Sequence, residues 1–380
     1  MKKSYTVVFI LPRRSKVPVG GFKVVYDYAN ALSDLGHSVL VAHGILFKPN
    51  KSGIITSDKN PDSMRFKHRL AHYAGSWLPR GYAISIPWVK RHSNVDFRSF
   101  PILNSKNLPK ASRYVATSWR TAKFLSEHTG SKAKNFYLIQ GFEAWNGEPH
   151  TKLEVEATWK SGLTNIVISG WLLNLAHKLG VSATLVPNFI DREAFPQGGE
   201  IRSRPIDVLF HASNQSVKRI DKATEVVSKI RETHPNFSVH AFGTQGRPKI
   251  LPDWVSYTRN PTRGSLGNLY RNSKIFLVTS DSEGWCLPAL EAMSSGTLVL
   301  STRNGGVESF AGDVARFSED NSVAELVNSL ESILKEQDAE LQDISVRGVA
   351  LSEQFQISKS LDGLLSVLEI SKGSRESPKT

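Results

Sequence analysis

Ser280-Asp281-Ser282-Glu283-Gly284-Trp285-Cys286-Leu287-Pro288-Ala289-Leu290-Glu291-Ala292-Met293-Ser294-Ser295-Gly296 is the stretch on which the reading of this chain turns. It follows the apolar run Ile275-Phe276-Leu277-Val278-Thr279, which has the composition of a parallel strand buried on both faces. Gly284 is expected to loosen the backbone after the strand. Pro288 stands at a first helical position, and Gly296 stands just past the helix end. A strand that turns into a helix N-terminus forms an anion site, because unpaired N–H groups point at the ligand. Two carboxylates bracket the turn. Glu283 leaves the strand and Glu291 lies in the first turns of the helix. Neither can bind a phosphate, but both suit sugar hydroxyls, whose hydrogen bonds they accept. An ordinary strand-loop-helix with Glu291 on a solvated face is the plainer alternative. The joint presence of Gly284, Pro288, Ala292, Met293 and Gly296 weighs against it.

Outward from this stretch, 380 residues allow two or three domains, each able to bury a core. The composition is that of an ordinary α/β protein, which excludes bulk disorder. Cys286 is the only cysteine, so no internal disulfide forms and a reduced compartment is expected. The run Tyr5–Leu11 is too short for a membrane span or a signal-peptide core, and it reads as a first buried strand. A cytoplasmic location follows as the expectation, with peripheral attachment at the inner face of a membrane as a variant of it. The net charge of +13 is unevenly placed. Through Pro187, 26 Lys and Arg stand against 10 Asp and Glu. From Asn188 onward, 22 stand against 25. The basic half suits nucleic acid, an anionic membrane or a phosphorylated acceptor, with plain solubility charge as the alternative. No nucleic-acid module accompanies it, so nucleic acid is not an expected partner.

Both halves alternate strands and helices. In the first, Thr6–Leu11 leads through a loop to Gly20-Gly21, then to an amphipathic helix closed by Gly36 and a strand at Ser38–Ala42. This is a βαβ unit whose glycine loop lies at a strand's carboxyl end, the ligand edge of such sheets. Met64–Tyr73 reads as a short basic helix. Trp77, Tyr82 and Trp88 follow among Arg80, Lys90 and Arg91, a mix that suits a membrane interface or buried packing equally. Gln197–Pro205 is turn-rich and reads as an interdomain linker. Beyond it, Val208–His211, Phe237–Phe242 and Thr297–Ser301 read as strands. Lys222–Thr233, Leu266–Asn272, Ala324–Lys335 and one long Ile344–Ile370 segment read as helices.

The segment SDSEGWCLPALEAMSSGTLVLS resembles the signature of glycosyltransferase family 4, which comprises retaining sugar-nucleotide transferases of GT-B fold. GGFKVVYDYANALSDLGHSVLVAHG resembles the opening segment of that family, and Arg303-Asn304-Gly305-Gly306-Val307-Glu308 its second glycine loop over the donor. The resemblance implies two Rossmann-like, doubly wound α/β domains facing a cleft. Residues 1–187 would form the acceptor-side domain and 188–353 the nucleotide-sugar domain. Residues 354–370 would form a helix crossing back, and 371–380 a frayed tail. It implies that Glu283 contacts the donor sugar and Glu291 the ribose. Backbone groups of Gly284, Trp285, Cys286 and Leu287 would meet the diphosphate together with Lys218, as would Gly20, Gly21, Gly305 and Gly306. The Arg that the family places five residues before this Lys is replaced by Ser213, so Arg219 or the Gly20-Gly21 loop is expected to supply the second charge.

NFYLIQGFEAWNGEP resembles a segment of some bacterial members, which implies Gln140, Glu143 and Trp145 near the cleft, with Gln140, Glu143 and Trp119 as the acceptor-side candidates. The histidine that many members carry there is absent, and Gln140 or Gly141 occupies its place. The implied activity is metal-independent hexosyl transfer from a nucleotide-sugar to a glycan or lipid-linked acceptor, without a cofactor. Its setting would be synthesis of bacterial surface polysaccharide, lipopolysaccharide or glycolipid, with an anionic membrane as a candidate partner. Two other classes compete, a catalytically impaired binding or scaffold protein on the same frame and a basic nucleic-acid-binding protein.

Overall fold

The computed structural model describes residues 4–51, 53–56, 81–128, 133–144 and 149–372. The expected Met64–Tyr73 helix, Trp77, Trp145 and most of the C-terminal tail lie outside them. The chain divides into two compact units, Met1–Val186 with Leu361–Thr380, and Pro187–Ser360.

In the first unit the strands are β1 (Tyr5–Leu11), β2 (Val39–Lys48), β3 (Ile55–Thr56), β4 (Tyr82–Ala83), β5 (Val95–Asn104), β6 (Ala111–Ala116), β7 (Lys134–Ile139), β8 (Thr164–Val167) and β9 (Ala183–Leu185). Their order is β4-β5-β2-β1-β6-β7-β8-β9, with β3 paired to β2. Helices α1 (Gly20–Asp34), α2 (Trp119–Ser126), α3 (Pro149–Trp159) and α4 (Gly170–Lys178) connect them. β1 is central and parallel to both neighbours, with Phe9 opposite Val41 and Val115. Val7 through Leu11 are all buried. That unbroken burial is what a strand covered on both faces requires.

The second unit repeats the plan. Its strands β10 (Ile206–His211), β11 (Val239–Gly243), β12 (Ser256–Arg259), β13 (Ser273–Val278), β14 (Leu298–Ser301) and β15 (Arg316–Phe317) run in the order β12-β11-β10-β13-β14-β15, all parallel. Its helices are α5 (Ile220–Thr233), α6 (Arg263–Arg271), α7 (Leu287–Ser294), α8 (Glu308–Ala311), α9 (Val323–Lys335) and α10 (Asp338–Ser352). α11 (Ile357–Leu368) follows, and the division between units falls inside it. In both sheets the first strand lies between the second and the fourth parallel strands of its unit. The strand order therefore reverses beside β1 and beside β10, and ligands bind outside the carboxyl ends of strands at such points. The second core gathers Val208, Phe210, Val226, Ile230, Ile275, Leu277, Leu300 and Leu330.

Two expectations are corrected here. The Ile344–Ile370 helix is broken between Ser352 and Ile357. The break turns Phe355 onto Trp285, with ring centroids 5.3 Å apart, and offers its carbonyl to the Ile190 amide at 3.0 Å. Gln197–Pro205 is no free linker, because Arg204 is buried and pins it inside the second unit. Its guanidinium donates to the carbonyls of Gly199, Ser273 and Ser295 and to the Thr297 hydroxyl. Burial without a carboxylate partner pulls that guanidinium down to about 10.

Candidate active site

The loops that leave β10 and β13 meet at the reversal point of the second sheet. After β10 the chain makes a short 3-10 turn at Ser216–Lys218, and Arg219 then enters α5 in the left-handed region with φ 48°. After β13, Thr279–Cys286 leads into α7. The two loops are stitched at 2.9 Å by the Asp281 amide on the Val217 carbonyl, and by the Thr279 hydroxyl on the carbonyls of Lys218 and Arg219. This brings Lys218 onto Glu283. The ammonium donates to both carboxylate oxygens, at 2.6 and 2.7 Å, and the Ser280 hydroxyl donates to one of them at 2.7 Å. Glu283 is only 8 % exposed. Burial pulls the Lys218 ammonium down, but the Glu283 charge outweighs it and the net shift is upward. Phe210, His211, Thr279, Cys286 and Pro288 complete the pocket around this pair.

The turn into α7 differs from expectation. The left-handed residue is Cys286, with φ 72° and ψ 69°, and not Gly284. A side chain in that region is strained, and such strain persists where the surroundings hold it. Among the described residues, no hydrogen bond is made by the amides of Gly284, Trp285, Cys286 or Leu287. They form a row of donors at a helix N-terminus, where the dipole favours an anion. Glu291, one turn into α7, accepts the Tyr270 hydroxyl at 3.2 Å. Burial first, and then the Glu291 charge, raise that phenol well above its ordinary value. The Cys286 thiol is likewise pushed up, by burial and then by Glu283.

Arg219 is at this site but committed elsewhere, since it pairs with Asp221 at 2.8 Å and Asp281 at 3.3 Å. The Gly305 and Gly306 amides are also occupied, by the Glu308 carboxylate and the Asn304 side chain. Gly306 acts by being small: a Cβ there would stand 2.6 Å from that of Glu283. The Trp285 ring turns away into a buried cluster, stacked on Phe310 at 4.9 Å. Three residues of the site were not singled out from the sequence. Ser280 is three residues before Glu283, a spacing that could have flagged it. Asn304 accepts the Glu283 amide on its carbonyl, and His211 lines the pocket. Both follow from strand order, which no local pattern reveals.

In the first unit Gly20 and Gly21 are the opening residues of α1 and not a loop. Gln140, just past β7, donates its amide to the Gly21 carbonyl at 3.1 Å. Glu143 accepts the Trp119 amide and so caps α2, beside the Ser118–Thr121 capping box. Burial raises Glu143 to about 7, against the pull of that amide and of Arg120. The Trp119 indole is buried, with the Arg120 guanidinium 4.4 Å over its ring. Gln140, Glu143 and Trp119 are thus gathered at the carboxyl ends of β6 and β7. Among the described residues no group of three or more His, Cys, Asp or Glu is placed to hold a metal ion.

Residues 191–347 match the family described as Glycosyl transferases group 1. The structure is similar to sucrose-phosphate synthase from Thermosynechococcus elongatus, with a TM-score of 0.71 and 12% identity, covering 96% of this chain and 98% of that one. The fold is GT-B. A second GT-B neighbour is HepE of Anabaena, solved in complex with UDP and glucose, with a TM-score of 0.66 and 12% identity over 96% of this chain and 99% of that one. By sequence, the chain is 25% identical over 289 residues to a D-inositol 3-phosphate glycosyltransferase of Acidothermus cellulolyticus. The match covers 67% of this chain, and it spans only 63% of the relative's length. The family match takes in Lys218, Glu283, Glu291 and Gly306, all of them residues of the site built above.

Proposed function

We propose that this chain is a retaining glycosyltransferase that moves a sugar from a nucleotide-sugar donor to an acceptor hydroxyl. One observation carries the reading: a buried carboxylate, Glu283, held by Lys218 and Ser280 beside four unpaired amides at the N-terminus of α7. The amides and Lys218 would take the diphosphate, Glu291 the ribose hydroxyls and Glu283 a hydroxyl of the sugar. The bond between the anomeric carbon and the phosphate oxygen breaks, and the bond to the acceptor oxygen forms on the same face. The acceptor proton passes to the leaving phosphate, so no protein base is required. Fixed donors aimed at the growing charge supply the catalysis. Metal independence and hexosyl transfer belong to this reading, with Gln140, Glu143 and Trp119 on the acceptor side.

The decisive test is a thermal-shift screen of UDP-, GDP- and ADP-sugars, followed by nucleotide-release assays. A donor that stabilises the fold should also be turned over, with activity unchanged by EDTA and the anomeric configuration retained by NMR. Glu283→Gln should lower kcat about 100-fold and leave nucleotide affinity nearly unchanged. If no donor raises Tm and none is consumed, the reading fails. We further propose an acceptor at an anionic membrane, as in surface-glycan synthesis, on the charge of the N-terminal half. No helix among the described residues is long and apolar enough to cross a membrane. Trp88 is committed to the fold, donating to the Ser15 carbonyl at 3.1 Å and packing on Tyr26. Flotation with anionic vesicles at low salt is expected, fading as salt rises, and its absence at low salt would favour a soluble acceptor.

A further inference from the structure

We propose that His211 is a second phosphate-contacting group of this site, its imidazole hydrogen-bonding the diphosphate of the bound nucleotide. The inference rests on the glycosyltransferase reading above. His211 ends β10 and lines the same pocket as Lys218, Ser280, Glu283 and Cys286. One face of its ring lies on Phe242, with centroids 5.3 Å apart. Neither ring nitrogen has a hydrogen-bond partner among the described residues.

The charges around it explain what the imidazole could add. Lys218 faces it from the β10 loop, Glu283 from the β13 loop, and the protonated Cys286 thiol from the start of α7. Phe242 of β11 is apolar. Burial, and then the Lys218 charge, push the imidazole down to about 4 against the pull of Glu283, so it is neutral at pH 7. Within the chain the Lys218 charge is already matched by Glu283. Arg219 is held by Asp221 and Asp281, and Ser213 carries no charge. A diphosphate brings more negative charge than Lys218 alone can offset. An anion in contact with the imidazole favours its charged form, so the ring would take up a solvent proton as the diphosphate enters. The imidazolium then donates to a phosphate oxygen where charge develops on departure, and it returns the proton when the nucleotide leaves.

The test is calorimetric titration of the full chain with UDP, GDP and ADP at pH 6.5, in two buffers of different ionisation enthalpy. Uptake on the order of half a proton per bound nucleotide is expected for the unaltered protein. His211→Phe keeps the packing on Phe242 and should bind about tenfold more weakly, without uptake. His211→Gln retains an N–H donor, so it should recover part of the affinity but none of the uptake. Melting curves of both variants report whether the fold is intact, and the Gln variant serves if the Phe variant does not fold. Wild-type affinity and uptake in the folded variants would overturn the role of His211 alone. If the unaltered protein binds none of the three nucleotides, the glycosyltransferase reading falls and this inference falls with it.

Discussion

Glu283 is buried under a half-buried Lys218, and neither can be removed without stranding the other. Lys218→Ala should cost about 3–5 kcal/mol, because it leaves a carboxylate 8 % exposed with only Ser280 as a partner. Replacing both, as Lys218→Met with Glu283→Gln, should recover most of that loss. Urea denaturation of the two singles and the double measures the coupling. Strict additivity would mean that the pair is effectively solvated. Glu291 calls for a different assay, since it is tied to Tyr270 and stands one turn into α7. Glu291→Ala should weaken nucleotide diphosphate binding about tenfold, and the loss should shrink with a 2′-deoxy nucleotide. An equal loss with both nucleotides would remove the ribose from its role. Glu283 and Glu291 were legible because carboxylates beside a glycine turn and a helix start form a local pattern, and Lys218 through the family resemblance of its loop. His211 and Asn304 were not, because each acquires its place only when β10, β13 and β14 lie side by side, whereas Ser280 shares a loop with Glu283 and was open to a local reading.

Between elements, the decisive contact is that of the loop after β14 with the loop after β13. Glu283 donates its amide to the Asn304 carbonyl, and Gly306 leaves no room for a side chain against Glu283 and Trp285. Gly306→Ala should therefore destabilise the fold by about 1–3 kcal/mol and lower kcat about tenfold by displacing the Glu283 carboxylate. Nucleotide affinity should change less. A wild-type kcat in this variant would show that the two loops move apart without consequence. Strands were the most legible elements, since runs such as Val7–Leu11 and Ile275–Val278 are apolar without alternation. Helix ends were legible where glycine marks them, as at Gly36 and Gly296, both with positive φ. The break before Ile357 was not, because its cause is the docking of Phe355 on Trp285, about 70 residues away in sequence. The turn at Cys286 was missed for a related reason: left-handed backbone normally advertises itself with glycine, and here a cysteine bears it.

Across the molecule, titrating groups wholly or partly withdrawn from water set different pH responses in the two units. His43 is held neutral under Tyr26, whose hydroxyl lies 2.8 Å from its Nε2, and burial pulls it down to about 4. His211 has the same depressed value. For both, the unfolded chain binds the proton first, so stability is full above pH ~6.5 and is lost as pH falls toward 4. Glu143, raised to about 7, works the other way: its contribution is full below pH ~4.5 and is lost as pH rises through 7. The first unit contains both His43 and Glu143, and their effects between pH 7 and 5 nearly cancel. The second has His211 without such a counterweight and should lose about 2 kcal/mol over that interval. Hydrogen exchange at the two pH values, corrected for intrinsic rates, should show protection falling in β10, β11 and β13 more than in β1, β6 and β7. Equal losses in both sheets would contradict this assignment.

The lone thiol of Cys286 gives the molecule a clock. It is buried, held protonated, and lodged where the strand turns into α7. An alkylating reagent attacks the thiolate, so labelling of the folded protein has to wait for this turn to open. With one cysteine in 380 residues, each adduct in the mass spectrum counts one such opening. A nucleotide seated on the neighbouring amides would hold the turn shut, and the slowing of alkylation would time its residence without any assay of turnover.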